Sequence, residues 1–182
     1  MKHHTTLAIV LTTALLTGCS QEPAPETATS TSPETSAIDG SHLLLSAEPE
    51  GAAPVIAARE QTKDGDDVVL VGRIGGSANP WIEGRAAFSV VDPTLKACSD
   101  IPGDECPKPW DYCCETDKLP AATAFVKFVD ADGRPLKADA RELLGLKELQ
   151  SVVVKGKAQR DEAGNLTVLA DGLFVRPAES TE

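Results

Sequence analysis

Apolar positions along this chain fall into three regimes. Leu7 to Leu16 (LAIVLTTALL) is a short unbroken apolar run behind a basic start, Met1-Lys2-His3-His4. Residues 20–37 (SQEPAPETATSTSPETSA) carry almost no bulky apolar side chain and no Lys or Arg. From Asp66 onward, short β-branched runs alternate with turn residues, which is the pattern of strands. Lys63-Asp64-Gly65-Asp66 reads as a turn. Val68 to Ile74 predicts a first strand, broken by Gly75 to Pro80, and Ala86 to Val91 a second, stopped by Asp92-Pro93. Ala122 to Val129 predicts a third, ended by Asp130-Ala131-Asp132-Gly133. Asp139, with Glu142 three residues on, suits the start of a helix. Leu143, Leu144 and Leu146 give that helix an apolar face, and Gly145 holds it to about two turns. Ser151 to Ala158 predicts a fourth strand and residues 161–165 a hairpin turn. Leu166 to Ala170 predicts a fifth strand, with a break at Asp171-Gly172 before a last piece, Leu173 to Val175.

These runs divide the chain into a leader (1–18), a polar linker (19–37), an N-terminal extension (38–65), a folded domain (66–176) and a tail (177–182). The linker cannot bury enough surface to offset its conformational entropy, so it reads as a disordered tether. In the extension, Leu43-Leu44-Leu45 suits a short strand or a plug for one end of the core. Val55 to Arg59 suits a second short apolar contact, after Pro49, Gly51 and Pro54. Between the second and third strands lies a long Pro- and Cys-rich insert, 92–120.

Three strands, one short helix and a two-stranded hairpin resemble the element order of the OB fold. Val69-Leu70-Val71-Gly72-Arg73-Ile74 is similar to the opening strand of many OB domains, where Gly permits the bend that lets one strand join two sheets. Val152-Val153-Val154-Lys155-Gly156-Lys157, followed by Gly164-Asn165-Leu166-Thr167-Val168, is similar to the closing hairpin. The resemblance implies a mainly β domain: a small five-stranded OB-like barrel, with one short helix between strands three and four and the Cys-rich insert between strands two and three.

Leu16-Thr17-Gly18-Cys19 ends the first apolar run and resembles the lipobox of bacterial lipoproteins. The run is too short for a permanent membrane span and fits a cleavable export signal. The resemblance implies cleavage before Cys19, diacylation of its thiol and acylation of the new amino terminus. Each buried methylene of such an anchor contributes about 0.8 kcal/mol. Ser20, a residue other than Asp after the lipidated Cys, implies sorting to the outer membrane in a two-membrane envelope. The chain has no second long apolar run.

Charge narrows the partners. With 17 basic and 28 acidic residues the net charge is −11, which repels phosphate backbones and argues against nucleic acid. His42 is the one His outside the leader, and the one Met is Met1. A His-based general base, a multi-His zinc site and a Met-rich copper site therefore lack residues. No nucleophile elbow or phosphate loop appears, so no enzyme is predicted, and no cofactor is read from the sequence.

Setting Cys19 aside, the remaining cysteines are Cys98, Cys106, Cys113 and Cys114, all inside the insert. In an exported domain an even set of cysteines reads first as two disulfides. Pairing Cys113 with its neighbour Cys114 would close a strained ring. Two schemes remain: Cys98–Cys113 with Cys106–Cys114, or Cys98–Cys114 with Cys106–Cys113. The other reading is a thiolate metal site or a redox centre. The spacing has no C-x-x-C pair, so the usual zinc knuckle and thioredoxin-type motifs are absent. The insert's acidic residues match no calcium loop. After Asp130-Ala131-Asp132-Gly133, the residues Arg134, Pro135 and Arg141 stand where further calcium ligands belong.

The function expected is a membrane-anchored, non-enzymatic binding module of the cell envelope, contacting a protein, a peptide or a glycan. The alternative is metal binding or thiol sensing through the four cysteines. Trp110 and Tyr112 between the cysteines, and Phe88, Phe125 and Phe128 on strands two and three, are the candidate contact residues. Alternation puts Ala124, Val126 and Phe128 on one face and Phe125, Lys127 and Val129 on the other.

Overall fold

A computed structural model describes residues 38–178. Lipidation at Cys19, the leader and the linker lie outside the described residues. Six strands run in order: β1 Ala53–Pro54, β2 Asp67–Ile74, β3 Ala87–Val91, β4 Thr123–Phe128, β5 Ser151–Arg160 and β6 Leu166–Val175. Three short helices accompany them: α1 Val55–Gln61, α2 Leu119–Ala122 and α3 Ala140–Leu144. Among the described residues, no helix is long and apolar enough to cross a membrane.

Strand pairing closes a barrel. β2 pairs antiparallel with β5 from Asp67 to Arg73 and with β3 at Arg73 and Ile74. β3 pairs antiparallel with β4, β4 pairs parallel with β6, and β6 returns antiparallel to β5. The domain is the mainly β, five-stranded OB-like barrel that the sequence predicts, with α3 between its third and fourth strands and the cysteines between its second and third. The added strand β1 lies parallel to β2 at Leu70 and Val71, next to where β3 takes over.

Gly72 is the crossing point. Its partner on β5 is Val152, and a Cβ at Gly72 would stand 2.9 Å from Val90 Cβ on β3 and 3.2 Å from the Val91 carbonyl. Only a residue without a side chain lets β3 close on β2 there while β2 still pairs with β5. A second glycine device differs from expectation. The break predicted at Asp171-Gly172 is a β-bulge: Lys155 pairs with Gly172 and Gly156 with Ala170, so Asp171 bulges out and β6 runs on unbroken. A Cβ at Gly156 would stand 2.2 Å from the Leu169 carbonyl oxygen. The turn residues here bend a strand rather than end it.

The barrel interior is filled by inward residues of every strand, among them Leu70, Phe88, Val126, Phe128, Val154 and Val168. Trp81 plugs one side. Its ring lies 5.6 Å from Phe88, its Nε1 donates to Glu148 at 2.6 Å, and the Arg141 guanidinium stands 5.6 Å over it. Asp139 caps α3 through the Arg141 N–H, and Gly145 ends it in the left-handed region at φ 66°. The helix has five residues, fewer than the two turns expected.

The extension packs on the barrel. Leu44 bridges Leu173, and the Leu45 N–H donates to the Leu173 carbonyl at 2.8 Å. The short apolar contact expected at Val55 to Arg59 is made by helix α1, with Val55 and Ala58 buried. Its first turn is capped from a distance: Asp92 Oδ2 accepts the Ile56 N–H at 2.8 Å. At its other end Arg160 donates to the Arg59 and Thr62 carbonyls.

Candidate functional site

The insert is built on a second small core outside the barrel, formed by Val91, Leu95, Ala97, Tyr112 and Ala122. Tyr112 is its centre. Its ring fills the space over Gly75, where a Cβ would meet the ring at 2.8 Å and the Trp110 carbonyl at 2.9 Å. Its hydroxyl is buried and makes no hydrogen bond of good geometry, although the Arg73 guanidinium is near enough to act on it, and burial pushes its pKa up to about 12. Trp110 is half-buried, and its Nε1 donates to the Ala78 carbonyl at 3.2 Å. Lys108 Nζ donates to the same carbonyl at 3.2 Å. Both bonds fasten the insert to the turn after β2.

Main-chain bonds set the cysteines on this base. Cys98 opens a one-turn 3-10 helix and its N–H donates to the Asp111 carbonyl at 2.8 Å. Asp100 closes that turn by accepting the Ala97 N–H at 3.0 Å, and it pairs with Arg73 of β2. Asp104 Oδ1 accepts the Cys106 N–H at 2.6 Å. Cys113 and Cys114 follow directly on the buried Tyr112.

The sulfur atoms of Cys98, Cys106 and Cys113 all lie within 4.8 Å of one another. Cys98 and Cys113 are closest, at 3.3 Å. The Cys114 sulfur is 4.0 Å from that of Cys113 and 3.8 Å from Asp104 Oδ2. Cys106 Sγ stands 3.5 Å from the Lys108 carbonyl. No disulfide joins the four cysteines in this structure, and the Cys98–Cys113 juxtaposition belongs to one of the two pairing schemes read from the sequence. Cys98 is buried, Cys106 half-buried, and Cys113 and Cys114 exposed. Burial, joined by the neighbouring Cys113 thiol, pushes the Cys98 pKa up to about 12.

The aromatic candidates separate. Phe88, Phe128 and Tyr112 are fully buried and drop out as contact residues, because alternation turns both phenylalanines into the barrel and Tyr112 into the second core. Phe125 is 41% exposed on the outer face of β4, on the face opposite Phe128 as the alternation predicts. It lines a groove of about 370 Å³ with Ile82, Arg85, Lys127, Pro135 and Asn165, among others. A second hollow, against Leu119, Pro120 and Thr123, shares Phe125 and Asn165 with the first. Ile82 and Asn165 were not singled out from sequence. They reach the groove through the loop after Trp81 and through the hairpin turn, and nothing local in the sequence signals that meeting.

No protein-family model matches this chain, and no curated protein matches it. Among solved structures it is similar to the hypothetical protein ygiW from E. coli, with 12% identity over 70% of this chain and 94% of that one, at a TM-score of 0.36. It is also similar to the telomere capping protein Ten1 from Saccharomyces pombe, with 12% identity over 77% of this chain and 84% of that one, at a TM-score of 0.31. At these scores neither likeness bears on what this chain does. The barrel assignment rests on the strand pairing.

Two surfaces with different chemistry remain. The groove offers an apolar floor rimmed by charges of both signs. The insert offers soft sulfur donors on a stiff frame.

Proposed function

We propose that the protein is a membrane-tethered, non-enzymatic binding module of the cell envelope, which takes an apolar peptide segment of an envelope protein in the groove around Phe125. One observation carries the reading. Ile38, Leu44, Ile82 and Phe125 are the exposed large apolar side chains among the described residues, and Ile82 and Phe125 line the same groove. An exposed apolar pair rimmed by Arg85, Lys127, Asp161 and Asn165 has the apolar-centre, polar-rim anatomy of a contact site. The lipobox resemblance supports the address, and the polar stretch 20–37 supplies a tether that lifts the groove off the lipid.

The test is binding of the full chain, in detergent micelles, to an array of peptides drawn from envelope proteins of the same cell. Peptides with two or more large apolar residues are expected to bind. Phe125→Ala and Ile82→Ser should each weaken that binding roughly tenfold or more, while Asp171→Asn, on the bulge, should not. Binding that survives both groove variants would overturn the reading. So would binding to glycans in place of every peptide.

A further inference from the structure

The groove leaves the insert's sulfur cluster unused, and the cluster shares no residue with it. We infer that Cys98, Cys106 and Cys113 form a thiolate site for a soft closed-shell cation, zinc(II) or copper(I). The argument starts from number. A disulfide uses two sulfurs at about 2.05 Å, and three mutually adjacent sulfurs are one more than it can use. Three or four sulfurs around one cation is the arrangement soft metals select. With zinc–sulfur bonds of about 2.3 Å, tetrahedral geometry sets neighbouring sulfurs roughly 3.8 Å apart. The trio lies within 4.8 Å, with 3.3 Å between Cys98 and Cys113. Small side-chain rotations reach the metal-bound spacing.

The frame points the same way. Cys98 is fixed by its bond to the Asp111 carbonyl, and Cys113 by the buried Tyr112 beside it. Cys106 is fixed by Asp104, whose carboxylate takes the N–H of one cysteine and approaches the thiol of another, Cys114. Such outer partners orient the ligands of metal sites. Cys114, 4.0 Å from Cys113, is the neighbouring donor for a fourth position on zinc. Copper(I) is satisfied by three sulfurs. Cys98 is buried while Cys113 and Cys114 are exposed, so an ion would enter from the solvent side and rest against the insert's small core.

Copper(I) binding breaks three S–H bonds and forms three sulfur–copper bonds; zinc binding, with Cys114 as the fourth donor, breaks four and forms four. The protons go to solvent and no electron changes hands. Either complex carries a charge of −2, and the strongly acidic chain draws cations to its surface.

The experiment uses the full chain, exported in its own compartment and extracted in detergent. Metal content and free thiols are measured as isolated. Zinc(II) and copper(I) are then offered separately against chromophoric chelators, and cobalt(II) serves as a spectroscopic substitute for zinc. About one zinc or copper per chain is expected. Cobalt should show sulfur-to-metal charge-transfer absorption, and the better-held of zinc and copper identifies the ion. Cys106→Ser and Cys113→Ser should each weaken binding at least tenfold with the far-ultraviolet dichroism unchanged. Cys98→Ser should do the same, and if it misfolds the first two variants decide. A chain that leaves the cell fully oxidised without metal overturns the site, even if it takes metal after chemical reduction. So does stoichiometric metal that persists in both Cys106→Ser and Cys113→Ser.

Discussion

The carboxylate of Asp92 joins two segments that are far apart in sequence: its Oδ2 accepts the Ile56 N–H at 2.8 Å, while its Oδ1 accepts the Thr94 N–H at 3.0 Å and the Thr94 hydroxyl at 2.7 Å. Asp92 is 1% exposed, so a buried carboxylate is fully satisfied while it starts helix α1 and opens the insert. Asp92→Ala should lower the unfolding free energy by about 2 kcal/mol, since it removes a cap and takes the acceptor from the Ile56 and Thr94 N–H groups. Asp92→Asn keeps one acceptor oxygen and should lose less. Urea unfolding of both variants checks this, and equal losses would mean the charge matters more than the hydrogen bonds.

Gly75 and Tyr112 should respond differently. Gly75→Ala forces a methyl against the Tyr112 ring and the Trp110 carbonyl, and should lower stability by about 1–3 kcal/mol. Tyr112→Phe removes a buried hydroxyl that makes no hydrogen bond of good geometry, with Arg73 its one charged neighbour of favourable sign, and should be close to neutral. Thermal melts of the two variants separate these outcomes. A clear loss in Tyr112→Phe would mean the hydroxyl is bonded in solution.

Stability should carry a carboxylate signature in acid. The side-chain bond from Arg141 holds the Asp139 carboxyl below its ordinary value of 3.8, despite partial burial that acts the other way. A lowered folded-state pKa stabilises the fold fully above the ordinary value and loses that contribution as pH falls through the folded one. Asp139→Asn should therefore unfold earlier than the parent at neutral pH, and the two should converge well below 3.8. Urea midpoints measured across that range test the convergence.

The proposed anchor makes a separate prediction. Cys19→Ser should shift the protein from the membrane fraction to the soluble one, because the proposed acylation requires the Cys19 thiol. Carbonate extraction and mass analysis of the amino-terminal peptide read this directly. Membrane retention in the variant would remove the anchor from the proposed function.

The barrel was readable in sequence because its strands are local β-branched runs and its key glycine, Gly72, sits in the first of them. The two faces of β4 followed from simple alternation, which separated Phe125 from Phe128, while closure of the barrel decides that Phe128 is the inward one. Helix α1 was not readable: its cap, Asp92, stands 36 residues away, and Pro54 gives it no local start signal. The bulge at Asp171 was read as a break because glycine and aspartate serve both purposes, and only the partner strand decides between them. The cysteines were visible as a group, but which of them meet depends on how Tyr112 and Asp104 fold the insert, and spacing does not encode that.

β6 seals two seams, pairing with β5 on one side and β4 on the other. It is also the last strand among the described residues. As the chain emerges from its amino end, the cysteines appear well before the element that completes the barrel. Four reactive sulfurs therefore spend the interval on an open polypeptide, exposed to whatever oxidants or ions the surroundings hold. The chemical state of the insert is a matter of timing as well as geometry, and a faster-closing hairpin at Asp161–Asn165 would shift it without touching a single cysteine.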